Sequence, residues 1–249
     1  MTGDIEDWWD RRSKDYQDEC QIPVDIHYGP SSPNEDKLNL LGDVKGRAVL
    51  ELGCGGAQCA VAFALRGARV TAIDFSAEQL KFGRELASQH DVEIEFLQRD
   101  IKDLAPIPAA SQDIVFSAFA LMYVDDRPQA FREVWRVLKP NGVFVFSLDH
   151  PFFRKVDPQK LTIIESYHET GRAVDDLGEL GQTVMYRYTI GDLHDALTQS
   201  GFVVQRVIEP DSRKRYPYDP WFGRWGVYIP KVLDMVPPTI IFKSVKPED

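Results

Sequence analysis

One turn constrains this 249-residue chain more than any other feature. Residues 49–60 read VLELGCGGAQCA, an apolar run that meets Gly53, Gly55 and Gly56 and continues as an alanine-rich helical segment. Glycines at such a point let the backbone adopt conformations closed to other residues and approach a ligand closely. A strand that leaves through a helix cannot pair back through a tight hairpin; it returns as a parallel neighbour after a right-handed crossover. The turn therefore directs the chain towards an α/β fold with a mainly parallel sheet, provided that further strands follow.

They do follow. The first strand is AVLEL (48–52), and the helix leaving the turn covers 57–67, ended by Gly67. RVTAID (69–74) is a second strand, after which Ser76 caps a helix over 77–90. VEIEFLQ (92–98) alternates as a third strand, and DIVFSAFAL (113–121) is apolar enough to be a buried fourth. A helix over 127–142 ends at Pro140 and Gly142, and VFVFSLD (143–149) forms a fifth strand. Residues 151–188 lack strong periodicity and read as an insertion, followed by a helix over 189–201 and strands over 202–210 and 238–246, the last running antiparallel. The pattern predicts a doubly wound, Rossmann-like sheet of seven strands with helices on both faces. It predicts a single domain over 1–249, in which residues 1–40 form a helical lid and 151–188 contribute to a substrate pocket.

In open parallel sheets, ligands bind at the carboxyl ends of the strands where the winding reverses. Residues 53–58 are expected at that point. Gln58 stands where a dinucleotide fingerprint needs its third glycine, and no Gly-Lys-Ser or Gly-Lys-Thr follows, so neither pyrophosphate nor a P-loop triphosphate suits the turn. Glu51, two residues before the first glycine, suits a cationic ligand. Asp74 ends the second strand at the position from which a carboxylate accepts bonds from ribose hydroxyls. Asp100 is placed to accept from an adenine amine, with Phe75 and Ile101 as apolar walls. A nucleoside with a cationic neighbour and no phosphates is S-adenosylmethionine.

The segments VLELGCGGA, VTAIDFS, QRDIKDLA, DIVFSAFALMYV and EVWRVLKPNGVFVFSLDHPF together resemble class I S-adenosylmethionine-dependent methyltransferases of the small-molecule, quinone-biosynthesis-like type, from Leu41 to the last strand. The resemblance implies strand order 3-2-1-4-5-7-6 with strand 7 antiparallel. It implies that Gly53, Cys54 and Gly55 line the methionine moiety, that Asp74 holds the ribose, that Asp100 and Ile101 bracket the adenine, and that Ser117 and Ala118 face the cofactor. RRSKDYQ (11–17) resembles the family's N-terminal helix, whose tyrosine, here Tyr16, closes over the cofactor.

Methyl transfer from a sulfonium is an in-line displacement at a carbon already activated, so alignment and exclusion of water are the protein's main tasks. Where the acceptor is a hydroxyl, a base assists, and His150, directly after the fifth strand, is the expected one. Tyr123 is the second expected catalytic residue, in a segment where the resembled family often carries a histidine at Met122 or Tyr123. His27, Tyr28, Phe152, Tyr186 and Tyr188 are expected to wall a small-molecule acceptor pocket. An inward-pointing arginine at 187, 213 or 224 would admit an anionic acceptor.

Composition narrows the partners. The formal net charge of −10 opposes a general nucleic-acid binder. The basic and aromatic segment with Arg213, Lys214, Arg215, Tyr216, Tyr218, Trp221, Arg224 and Trp225 reads as a solvated loop whose aromatics pack on the domain. No apolar run approaches the roughly 20 residues of a bilayer span, and the acidic, aromatic start lacks the pattern of a secretory signal, so a cytoplasmic monomer or homodimer is expected. Cys20, Cys54 and Cys59 lack metal-ligand spacing, and reduced thiols with no metal are expected. Two other readings keep the cofactor: a methyltransferase acting on RNA or protein, and a non-catalytic S-adenosylmethionine-binding subunit.

Overall fold

The computed structural model describes residues 2–176, 181–216 and 219–248. The chain runs α1 (Thr2–Cys20), α2 (Glu35–Leu38), β1 (Ala48–Leu52), α3 (Gln58–Leu65), β2 (Arg69–Asp74), α4 (Ala77–Gln89), β3 (Ile94–Gln98) and β4 (Gln112–Ala118). It continues as α5 (Arg127–Val137), β5 (Leu138–Asp149), β6 (Gly171–Asp176), β7 (Gln182–Arg187), α6 (Ile190–Gln199), β8 (Val203–Ile208), α7 (Pro230–Leu233) and β9 (Thr239–Val245).

The main sheet has seven strands in the order β3-β2-β1-β4-β5-β9-β8. β9 is antiparallel to both neighbours, and the pairs from β3 to β5 are parallel. With the separate β6–β7 hairpin set aside, this is order 3-2-1-4-5-7-6. The winding reverses between β1 and β4, which pair directly through Val49 and Ile114, so the glycine turn after β1 opens at the switch point.

Local chemistry sets the element ends. Ser76 Oγ accepts from the Gln79 N–H, Asp126 caps α5 through Gln129 N–H, and Thr189 with Asp192 closes a reciprocal capping box on α6. α5 stops at Val137, earlier than its pattern suggests, and Leu138 already pairs with Gln112. Pro140 disfavours helical backbone at Lys139, and Asn141 takes a left-handed conformation with φ 61°. Helix α1 is longer than the RRSKDYQ segment suggests, whereas residues 21–34 are not helical, so residues 1–40 are only partly a helical lid. Pro23, Pro30 and Pro33 lie in that non-helical stretch. The 151–188 insertion carries the β6–β7 hairpin, with Gly171 opposite Arg187.

One apolar layer packs α5 and α6 on the sheet through Phe131, Val134, Leu193 and Leu197, where Phe146 stacks on Phe242 at 5.2 Å. The other joins α3 and residues 26–44 to the opposite face through Ile26, Tyr28, Phe63 and Phe116. A third, smaller cluster forms from Cys20, Phe153, Trp221, Tyr228, Val232 and Leu233 at the carboxyl end of the sheet, between α1 and the β8–β9 connection. Each fully buried Phe contributes roughly 1.5–3 kcal/mol, and the third cluster positions the walls of the site.

Candidate active site

At the carboxyl ends of β1, β2 and β4 lies a cleft of about 1120 Å³ including its mouth. Its floor is the turn after β1. Gly53 has φ +65°, and a Cβ there would lie 2.2 Å from Ala120 Cβ, so glycine is demanded by both conformation and space. A Cβ on Gly56 would lie 2.6 Å from the Gln17 amide. Gln17, on α1, accepts from Gln58 Nε2 at 2.7 Å and donates to Gln79 Oε1 at 3.0 Å, while Asp10 accepts from Ser76 Oγ at 2.5 Å. These bonds hold α1 across the turn.

Two buried carboxylates border the turn. Asp74 Oδ2 accepts from Gly55 N–H and its Oδ1 from Ser76 N–H, each at 2.9 Å. Burial nevertheless pushes its carboxyl up to about 6. Glu51 is 3% exposed, its Oε2 has no hydrogen-bond partner, and burial raises its carboxyl to about 8. A buried acceptor without a donor is costly, and a ligand with a cationic or N–H group would satisfy it. Cys54 lines the cleft beside Gly53 and Gly55, and burial holds its thiol well above the usual range, as it does that of Cys59.

The structure brings together Tyr16, Glu51, Gly53, Cys54, Gly55, Asp74, Phe75, Ala118, Tyr123 and His27 around this cleft. Asp100 and Ile101 lie in an adjoining recess that shares Phe75, Ala120 and Tyr123 with it and is partly roofed by Ile5 and Glu6 of α1. There Asp100 accepts from Lys102 N–H at 2.8 Å and lies 3.6 Å from Lys102 Nζ.

Other expected residues fall elsewhere. Ser117 is fully buried within the sheet and donates to the Leu52 carbonyl at 2.9 Å, because its side chain shares the packed face of β4 with core residues rather than the cleft. Tyr28 is fully buried against Phe116, its hydroxyl donating to Glu35 at 2.5 Å, so it anchors residues 26–41 rather than an acceptor. Phe152 packs at the edge of the third cluster, outside the cleft. Tyr186 and Tyr188 lie with His150 in a small recess that shares Met122, Arg154 and Met185 with the cleft, and Tyr188 donates to the Asp149 carbonyl at 2.5 Å. His150 has both ring nitrogens engaged: Nε2 contacts Glu209 at 2.6 Å and Nδ1 accepts from Phe152 N–H at 3.1 Å. It has no free nitrogen for an acceptor.

The cleft holds a different histidine. His27 Nδ1 is buried without a partner, its ring lies 5.3 Å from that of Trp221, and burial lowers its pKa to about 4. Burial also raises the Tyr123 phenol, which stays protonated, and its ring packs edge-on to Trp9 at 5.7 Å.

Sequence reasoning missed much of the roof. Trp8 and Trp9 come from α1, Met185 from β7, and Trp221, Val227 and Tyr228 from the β8–β9 connection. Trp221 Nε1 donates to the Tyr16 hydroxyl at 3.1 Å, so the aromatics of this segment pack on the domain as expected, and Trp221 also lines the cleft. The segment's signal was the density of aromatics in 216–228. None of the arginines at 187, 213 and 224, whose inward pointing would have admitted an anionic acceptor, lines the cleft: Arg187 pairs with Asp175, Arg213 with Asp211, and Arg224 Nε donates to the Pro220 carbonyl. Arg154 lines it instead. Tyr218 and the Trp225 side chain lie outside the described residues.

With this geometry in place, comparison with known proteins shows what the chain is similar to. Residues 50–146 match the methyltransferase domain model. A solved S-adenosylmethionine dependent methyltransferase from Mesorhizobium loti is 28% identical with a TM-score of 0.67, covering 84% of this chain and 94% of that one. Over residues 50–146 and in its fold, the chain is similar to S-adenosylmethionine-dependent methyltransferases. Among curated proteins, a ubiquinone biosynthesis O-methyltransferase from Alkalilimnicola ehrlichii is 34% identical over 56% of this chain and 53% of its own length. A malonyl-[acyl-carrier protein] O-methyltransferase from Serratia marcescens is 35% identical over 41% of this chain and 38% of its own. The matched region thus spans about half or less of these relatives. Among the described residues, no helix is long and apolar enough to cross a membrane, and no cluster of side chains suits a metal ion.

Proposed function

We propose that this chain transfers a methyl group from S-adenosylmethionine to a small organic acceptor. The observation that carries the reading is Glu51 Oε2, a buried, partnerless carboxylate oxygen beside Gly53, where a side chain would not fit. The residues present suit the cofactor. Glu51 and the Gly53–Cys54–Gly55 backbone would hold its cationic methionine end, Asp74 its ribose, and Phe75, Asp100 and Ile101 its adenine. When bound, it supplies an electrophilic methyl carbon on a sulfonium.

The chain's own work is alignment and exclusion of water. Trp9, Tyr16 and Tyr123 pack edge-to-face in series, at 5.3 Å and 5.7 Å, and present π surfaces that favour a neighbouring cation. Glutamine contacts close α1 over the turn, and a closed, weakly polar cleft strengthens every charge interaction inside it. His27, neutral at physiological pH with an unpartnered Nδ1, is the histidine that lines the cleft and is the base this reading would use. A pKa of about 4 makes it a weak base, which suits an acceptor that is acidic or already carries a free lone pair.

A small acceptor is favoured over RNA or protein by the walls of the cleft and by the charge of −10. Moreover, Arg213 and Arg215 of the basic segment are bonded to Asp211 and Asp234. The test is to incubate the protein with S-adenosylmethionine and phenolic, amine and isoprenoid acceptors and follow S-adenosylhomocysteine. Formation dependent on one acceptor class supports the reading; tight cofactor binding with no turnover on any of them favours a non-catalytic binding subunit.

A further inference from the structure

Charge is distributed unevenly in the cleft. Its two buried carboxylates, Glu51 and Asp74, sit at the ends of β1 and β2, and its one lysine or arginine among the described residues is Arg154, just beyond the end of β5. In the strand order β2-β1-β4-β5, β5 lies two strands from β1. At about 4.8 Å per strand, that places the basic wall roughly 10 Å across from Glu51, a span suited to a ring-sized acceptor beside the cofactor's reactive end.

Arg154 is held as a recognition group would be. Its side chain is 10% exposed, and Nε donates to Asp149 Oδ2 at 2.8 Å, which fixes one edge of the guanidinium. The rings of Phe153 and Tyr228 each lie 5.9 Å from its carbon, and Nη2 is 3.4 Å from the Tyr228 hydroxyl. Among the described residues, Nη1 donates to no protein group, and it is not fully buried. A guanidinium pinned along one edge on the wall of a largely apolar chamber matches the planar fork that recognises carboxylates in two-point fashion. Met122, Tyr123, Met185 and Trp221 wall that chamber with flat or pliable apolar surface, leaving the arginine as its ionic anchor.

We infer that the methyl acceptor is a planar organic acid whose carboxylate docks on Arg154 while its ring lies against the aromatic wall. The inference rests on the methyl-transfer reading above and adds the acceptor's chemical class. Asp149 orients the arginine and offsets its charge when no acceptor is bound.

The test titrates 4-hydroxybenzoate and its uncharged analogue 4-hydroxybenzamide into protein saturated with S-adenosylhomocysteine, by calorimetry. The acid should bind at least ten-fold more tightly than the amide. Arg154→Gln should remove that advantage, with the amide's affinity unchanged within two-fold and S-adenosylhomocysteine still bound. The pair Asp149→Asn with Arg154→Gln, which leaves no buried carboxylate unpaired, should lose the same discrimination in a folded protein. An acid that binds no better than the amide, including the case in which neither binds, overturns the inference, as does full acid binding by Arg154→Gln. Failure of S-adenosylhomocysteine to bind the unaltered protein would sink the methyl-transfer reading, and the acceptor assignment with it.

Discussion

Glu51 and Asp74 show how residue-level chemistry makes a binding site at the expense of the fold. Glu51 holds its proton up to about pH 8, against an ordinary value near 4.5. The folded state therefore binds more protons than the unfolded state across that window, so this group's contribution to stability is full below pH 4.5 and is lost as pH rises through about 8. Glu51→Gln should raise the melting temperature of the free protein by several degrees at pH 8.5, have no such effect near pH 4.5, and weaken S-adenosylhomocysteine at least ten-fold. Thermal scans and calorimetry on the same samples check both halves. Gly53→Ala forces a left-handed alanine into Ala120 and should destabilise by at least about 2 kcal/mol, measured by urea unfolding. Placement at the cleft was legible where motif and position coincide, as at Glu51, Gly53 and Asp74. They were not legible at His150 and His27, because two histidines in loops look alike until Glu209, far away in sequence, is seen to engage one of them.

Among the elements, α1 matters most to the site. Gln17 bonds both Gln58 and Gln79 directly over Gly56, so side-chain bulk at 56 and the latch at 17 compete for one space. Gly56→Ala should displace α1 and weaken the cofactor several-fold, and adding Gln17→Ala should recover part of that loss by clearing the clash. Two simple truncations would instead add their losses, so double-variant titrations separate the cases. Strands β1 and β2 could be read from the sequence to their end residues, because buried parallel strands are continuous apolar runs closed by glycine or aspartate. β6 could not: GRAVDD places three charges in six residues, and a two-stranded hairpin needs no buried face to mark it. The β8–β9 connection was read only in part: its aromatics pack on the domain as expected, but its place in the cleft was not foreseen. Its aromatics are buried by Tyr16, Cys20 and Phe153, contacts that no local periodicity encodes.

At the scale of the whole molecule, a sheet order legible from alternation and family resemblance delivers the floor of the cleft, while segments widely spaced along the chain close it: α1, the β6–β7 hairpin and residues 209–238. Ligand binding should therefore slow amide exchange in all three regions together, with β4 and β5 unchanged; protection confined to the glycine turn would contradict a shared roof. Acid stability carries a second signature. His27 is held neutral down to about pH 4 against an ordinary 6.5, so the unfolded state binds the extra proton and stability falls as pH drops from about 6.5 towards 4. His27→Gln should flatten that part of the unfolding profile. The most direct measurement is calorimetric titration of S-adenosylhomocysteine into the unaltered protein and into Asp74→Ala. Binding at one site that the substitution weakens a hundred-fold or more is the predicted result; no binding to the unaltered protein, or equal binding to both, would contradict the assignment of the glycine turn as a nucleoside cofactor site.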